Sequence, residues 1–227
     1  MRTSGDGNTE AVRVLLVEDH AVLRQALRLL LETFPDITVV GEAGDGREGL
    51  RLVEKLRPRV VILDIVMPEM NGLEVARQVA RRCPDTRILI LSAAGTRELV
   101  VEALRAGASG FVIKRADTDE LVLAINLIAK GHHYFSDDLA QSFDGSELIH
   151  ESKLPGSDNP MERLTERERE VVQLLAEGHT TRGIAGRLVL SEKTVDGHKS
   201  RAMAKLGIQN RAALVKVAIR HGLISVE

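Results

Sequence analysis

The 227-residue chain holds one cysteine, Cys83, no tryptophan and no long apolar run. A single thiol cannot close an internal disulfide, which points to a reducing compartment and hence to the cytoplasm. The longest apolar runs fall far short of the roughly 18 residues that a membrane span requires, so no membrane partner is expected. Met1-Arg2-Thr3-Ser4-Gly5-Asp6-Gly7-Asn8 lacks an apolar h-region. Residues 1–11 therefore read as a disordered lead rather than a secretion signal. There is no internal repeat and no tract of low complexity.

What remains is ordinary for a soluble globular protein: 44% hydrophobic and 28% charged residues. The net charge of −2 hides an asymmetry. Residues 160–227 carry 12 Lys+Arg against 8 Asp+Glu, which leaves 19 against 25 for residues 1–159. An acidic first part and a basic second part suggest two domains, the second a candidate for binding polyanions.

The first part alternates β-rich runs at 12–17, 37–41, 59–63, 87–91 and 110–113 with amphipathic stretches at 20–33, 46–56, 71–82, 96–105 and 117–130. Continuous Val/Ile/Leu runs fit strands buried on both faces, so the pattern predicts a parallel sheet covered by helices on either side. After Tyr134 the periodicity fades, and 134–160 reads as a linker with some helix near its start. Helical order returns at Leu164, where Thr165-Glu166-Arg167-Glu168 forms a capping box. Further helices are expected at about 181–188, 192–205 and 210–221.

Several predicted strands end in polar groups. Val14-Leu15-Leu16-Val17 runs into Glu18-Asp19, Val60-Val61-Ile62-Leu63 into Asp64, Ile88-Leu89-Ile90-Leu91 into Ser92, and Phe111-Val112-Ile113 into Lys114. Open parallel sheets bind ligands beyond the carboxyl ends of their strands. Three carboxylates gathered there repel one another and either take up protons or hold a cation. An all-oxygen set suits Mg²⁺ (or Mn²⁺), and Asp64 could then attack phosphorus to form an acyl phosphate. Lys114 would supply a point charge and Ser92 a hydroxyl. Alone, a strand-end Asp is usually a cap or turn residue and Lys114 a solvated lysine; the coincidence at four strand ends decides between the readings.

Residues 12–130 resemble a response-regulator receiver domain. The resemblance is carried by Glu18-Asp19, by Asp64 with Met67-Pro68-Glu69-Met70-Asn71-Gly72, by Ser92-Ala93, and by Gly107-Ala108-Ser109-Gly110-Phe111 leading to Lys114. It implies phosphorylation of Asp64 by a sensor histidine kinase. It implies metal binding by Asp19, Asp64 and the Val66 backbone carbonyl, with Glu18 acting mostly through water. Ser92, Ala93 and Lys114 would hold the phosphoryl group, with Ser92 and Phe111 as a switch pair whose ring turns inward. Arg115 stands where relatives commonly have proline. A dehalogenase-type phosphatase would need a second acid two residues after its nucleophile, where Val66 stands. Val66 and Ala94 flank the water approach, and neither side chain can orient water, so slow self-dephosphorylation is expected.

Residues 164–223 resemble the four-helix LuxR-type DNA-binding domain. The carriers run from Leu164-Thr165-Glu166-Arg167-Glu168 through Ala176-Glu177-Gly178, Ile184-Ala185 and Leu190-Ser191-Glu192-Lys193-Thr194-Val195 to Lys205-Leu206-Gly207 and Asn210-Arg211. The pattern is a helix-turn-helix whose second helix, 192–205, buries Val195, Met203 and Leu206 and presents Lys193, Thr194, Lys199, Arg201 and Lys205 outward. By position in the family, Asp196, Gly197 and Ser200 would meet base edges, while the basic residues contact phosphates. Asp196 departs from a commonly basic position, and Gly183 and Gly186 weaken the first helix of the pair.

Together these features identify the chain as a NarL/FixJ-type response regulator. The expected fold is a flavodoxin-like, doubly wound five-stranded receiver (order 2-1-3-4-5) over 12–133, a linker over 134–160 and a four-helix DNA-binding domain over 161–227. The resemblance further implies dimerisation on paired DNA half-sites, a possible contact with RNA polymerase, no catalytic role beyond phosphotransfer to itself, and exposure of the recognition helix on phosphorylation. A phosphorylation-dependent adaptor that does not touch DNA is the rival reading. Cys83, the His132-His133 pair and Arg81-Arg82 read as an inert thiol, a solvated pair and a solvated helix end.

Overall fold

The computed structural model describes residues 11–154 and 160–224. The lead at 1–10 and the linker segment 155–159 lie outside the described residues.

Strands β1 (Val12–Val17), β2 (Ile37–Ala43), β3 (Val60–Asp64), β4 (Arg87–Ser92) and β5 (Gly110–Ile113) alternate with helices α1 (Ala21–Leu31), α2 (Gly46–Leu56), α3 (Gly72–Arg82), α4 (Arg97–Arg105) and α5 (Thr118–Ala129). With a sixth strand, β6 (Tyr134–Phe135), every strand pair is parallel, in the order β2-β1-β3-β4-β5-β6. The alternation of side chains splits the core in two. Leu15, Val61, Leu63, Ile90 and Phe111 pack toward α2, α3 and α4. Val14, Leu16, Ile62, Leu89 and Val112 pack toward α1 and α5. Side-chain caps start most of the helices: Asp45, Asn71, Thr96 and Asp117 each accept from a backbone N–H three residues on.

The sheet has six strands, not the five expected. Tyr134–Phe135 forms β6 beside β5, pairing Phe111 with Phe135. Two residues are too few to carry a period, which is why this strand could not be read from the pattern. The stretch read as a linker continues into α6 (Asp137–Ser142) and α7 (Gly145–Lys153). Both are seated on the N-terminal part. Leu139 and Leu148 are buried in its core, Arg97 pairs with Glu151 at 2.9 Å, and its guanidinium lies 5.9 Å from the Phe143 ring centroid. Cys83 is buried, 1% exposed, and its sulfur accepts from Arg57 Nη1 at 3.1 Å.

After a short 3₁₀ turn (Pro160–Arg163) come α8 (Glu166–Ala176), α9 (Thr181–Leu188), α10 (Glu192–Leu206) and α11 (Arg211–Arg220). Their own core includes Val171, Leu174, Ile184, Val195, Ala202 and Leu214. The predicted capping box is formed, with Thr165 and Glu168 bonded reciprocally. Val195 is fully buried, whereas Met203 and Leu206 are only partly covered and Ala202 takes the second inward place. Among the described residues no helix is long and apolar enough to cross a membrane.

Candidate functional site

The carboxyl ends of β1, β3, β4 and β5 bring the expected side chains together. Lys114 Nζ lies 2.8 Å from Asp64 Oδ2 and 2.9 Å from Glu18 Oε2. Ligand atoms of Glu18, Asp19, His20 and Asp64 all fall within 4.8 Å of one another. His20 was not singled out from the sequence; its Nδ1 sits 2.9 Å from Asp19 Oδ1, and its backbone N–H donates to Glu18 Oε1 at 3.2 Å. Its adjacency to the Glu18-Asp19 pair was the available signal.

Electrostatics follow from this crowding. Burial, then the charge on Glu18, push the Asp64 carboxyl up to about 6, against the pull of the Lys114 hydrogen bond. Burial by itself would lower the Lys114 ammonium. Its hydrogen bond and charge contact with Asp64, followed by those with Glu18, hold it above its ordinary value. The His20 ring is raised chiefly by the charge of Asp19. A buried carboxylate crowded by a second one gains from a cation, and the donors on offer are hard carboxylate oxygens, so the set fits a small divalent ion such as Mg²⁺. Asp19 would be the half-buried ligand and Asp64 the buried one.

Local sequence explains the placement of the loop that follows Asp64. Gly72 opens α3 directly against β3, and a Cβ there would lie 1.9 Å from the Asp64 carbonyl oxygen, so only glycine fits. Asn71 caps α3, and Glu69 adopts φ +67°, a left-handed conformation costly for a side chain with a Cβ. Ser92 is buried, and its Oγ accepts from Ala94 N–H at 3.4 Å, while Ala93 is exposed. Phe111 is 1% exposed, its ring already inside. Arg115 pairs with Asp138 of α6 at 2.7 Å.

On the C-terminal part, α10 turns Lys193, Thr194, Asp196, Ser200 and Arg201 to solvent, with Gly197 and Lys199 partly covered. The two parts meet through α8, Arg187 of α9 and the residues at the end of α11, which leaves these α10 side chains at the surface. Lys205 is engaged within its own domain, 2.6 Å from Glu168 Oε2, and Arg201 Nε lies 3.6 Å from Glu168 Oε1. The Lys205 contact holds the Glu168 carboxyl below its usual range despite burial.

The contact between the parts was missed from the sequence. Glu166, Arg169, Glu170, Gln173 and Glu177 recur at helical spacing and would pass for a solvated face. Instead Arg169 Nε donates to Glu74 Oε2 at 2.8 Å, Gln78 Nε2 to Glu166 Oε1 at 2.6 Å, and Arg47 Nη2 to Glu170 Oε1 at 2.9 Å. Arg187 Nη1 reaches Glu69 at 2.5 Å, and Arg81, read as a solvated helix end, lies 3.7 Å from Glu166. His221 Nδ1 lies 3.3 Å from Glu102.

A parallel sheet with an acid cluster and lysine at its strand ends, followed by a helix-turn-helix bundle, defines a two-part regulator of the phosphoacceptor and DNA-binding class. Residues 14–126 match the response regulator receiver domain, and residues 162–218 match the bacterial regulatory proteins of the luxR family. The chain is 39% identical over 203 residues to the DNA-binding transcriptional activator DevR/DosR of Mycobacterium tuberculosis, covering 88% of this chain and 90% of that one. It is 34% identical over 216 residues to the response regulator UvrY of Escherichia coli, covering 95% and 97%. Among solved structures, RcsB of Salmonella enterica serovar Typhimurium, bound to promoter rprA in the presence of the phosphomimetic BeF3-, aligns with a TM-score of 0.59 at 26% identity, over 92% of this chain and 98% of that one. The chain belongs to the NarL/LuxR family of two-component response regulators, DNA-binding proteins that regulate transcription.

Proposed function

We propose that Asp64 is the phosphoacceptor, charged by a sensor histidine kinase in the cytoplasm, and that the phosphorylated protein binds paired DNA half-sites as a homodimer, where it can meet RNA polymerase. The observation that carries the reading is Lys114 Nζ at 2.8 Å from Asp64 and 2.9 Å from Glu18, at the mouth of the sheet. The domain division that goes with it is a receiver at 12–133, a connecting segment at 134–160 and a DNA-binding domain at 161–227.

Asp64 Oδ attacks phosphorus as the P–N bond to the kinase histidine breaks; the bonding pair returns to the imidazole nitrogen. Glu18, Asp19, Asp64 and the Val66 carbonyl would hold Mg²⁺, or Mn²⁺, which when bound offsets repulsion between carboxylate and phosphoryl oxygens. Lys114 then transfers its ion pair from the Asp64 carboxylate to a phosphoryl oxygen, and the Ser92 hydroxyl and Ala93 N–H complete the cradle. Phe111 fills the space behind Ser92. No side chain at Val66 or Ala94 orients a hydrolytic water, so the protein's own turnover of the acyl phosphate is slow. On DNA, Lys193, Lys199 and Arg201 meet phosphates, Lys205 joins them on release from Glu168, and Thr194, Asp196, Gly197 and Ser200 face base edges.

Acetyl phosphate with Mg²⁺ should label the parent protein and leave Asp64→Asn unlabelled; equal labelling of both would refute the acceptor assignment. Salt-dependent retention of a selected DNA fragment separates this reading from an adaptor that never touches DNA.

A further inference from the structure

A carboxylate of the DNA-binding domain lines the same cleft as Asp19 of the receiver's acid cluster. A cleft of about 520 Å³ lies between the parts, lined by Asp19, Val66 and Met67 on one side and by Glu177, Ile219 and Leu223 on the other. Asp19 belongs to the same tight cluster as Asp64, so this cleft borders the acceptor. Glu177 is also wired into the contact that holds the domains together. Its Oε1 accepts from Gln173 Nε2 at 2.8 Å and from Glu69 N–H at 3.3 Å. The Gln173 amide is 2% exposed; its Nε2 donates to Met67 O at 2.7 Å, and its Oε1 accepts from Asn71 N–H at 3.1 Å. One buried amide thus bonds Met67 and Asn71 in the loop after Asp64, and the carboxylate bonded to that amide lines the cleft that Asp19 also lines.

We propose that Glu177 is the group through which the DNA-binding domain senses the charge on Asp64. Phosphoryl oxygens entering beside Asp19 repel the Glu177 carboxylate, and its hydrogen bond to Gln173 passes the displacement to the amide that holds the loop. The inference rests on Asp64 being the acceptor. Coupling of this kind is reciprocal: the docked domain makes Asp64 harder to charge by the same factor by which charging loosens the docking. His179 Nε2 lies 3.6 Å from Glu177 Oε2. A purely structural role would need only the acceptor oxygen and not the charge, which is where the two accounts part.

The test uses the full chain at saturating Mg²⁺, with beryllofluoride as the probe, its affinity measured by calorimetry and the compactness of the protein by small-angle scattering. Glu177→Gln keeps an oxygen for the two accepted bonds and removes the charge. This variant should be as compact as the parent before beryllofluoride is added and should bind it more tightly, on the order of threefold to tenfold. It should also expand less than the parent on binding. Equal affinity in parent and variant, or a variant already expanded without beryllofluoride, overturns the proposal. Gln173→Leu should be expanded from the outset; a compact Gln173→Leu protein overturns the part assigned to the amide. Beryllofluoride that binds none of the three proteins would strike the acceptor assignment itself, an outcome distinct from equal binding.

Discussion

Replacing Asp64 by asparagine should stabilise the metal-free protein at neutral pH. The Asp64 carboxyl is raised from 3.8 to about 6, with burial the largest cause and Glu18 the next. A folded state that holds this proton more tightly than the unfolded chain is favoured in acid. The contribution is fully present below pH 3.8 and is lost as pH rises through about 6. A shift of about two units corresponds to about 3 kcal/mol, all of it working against the folded state at pH 7.5. That figure already includes the pull of Lys114; an amide fits the carboxyl's hydrogen bonds less well than the protonated acid, so the net gain should be about 2 kcal/mol. Urea unfolding followed by circular dichroism, fitted to the receiver transition at several pH values, reads the difference directly. The two proteins should converge near pH 4. Saturating Mg²⁺ should narrow the gap at pH 7.5 by stabilising the parent alone. A metal-free Asp64→Asn protein no more stable than the parent at pH 7.5 would show that the crowding of Glu18 and Asp64 is not costly, and the case for a cation-dependent pocket would lose its physical basis.

Three further outcomes are expected. Gly72→Ala should cost about 3 kcal/mol or prevent folding, because the new methyl group meets backbone 1.9 Å away rather than a yielding side chain; thermal unfolding reads this. Val66→Asn should speed decay of the phosphorylated form roughly tenfold by giving water a hydrogen-bonding guide, and unchanged decay of radiolabelled protein would count against that role. Lys199→Ala with Arg201→Ala should weaken DNA binding uniformly across sequences and reduce the magnitude of the salt slope by about 2, whereas a change in preferred sequence would place these side chains on bases instead.

The sheet and the acid pocket were legible because each rests on a local signal: continuous β-branched runs for strands buried on both faces, and a polar residue at each strand end. The topology rule for parallel sheets then joined Glu18, Asp64, Ser92 and Lys114 without any contact information. β6, α6 and α7 were not legible in the same way. Tyr134–Phe135 is too short for periodicity, and α6 and α7 offer single anchors, Leu139 and Leu148, rather than an apolar stripe. Their stability comes from long-range contacts such as Arg97 with Glu151, which no local pattern announces.

The docked surface of α8 shows the deeper limit of pattern reading. Glu166, Arg169, Glu170, Gln173 and Glu177 lie on one helical face, and polarity at that spacing means solvent in most helices. Here each of the five meets a partner on the receiver: Gln78, Glu74, Arg47, the loop backbone at Met67 and Asn71, and the Glu69 N–H. A buried apolar contact would hold the domains regardless of charge. The α8 part of the contact is made of ions and amides and is strong only while every member is satisfied, and one unpaired buried group costs more than the paired contact contributed. Such a surface is suited to being broken by a charge placed at its edge, and Asp19, of the same acid cluster as the proposed acceptor Asp64, lines the cleft at that edge.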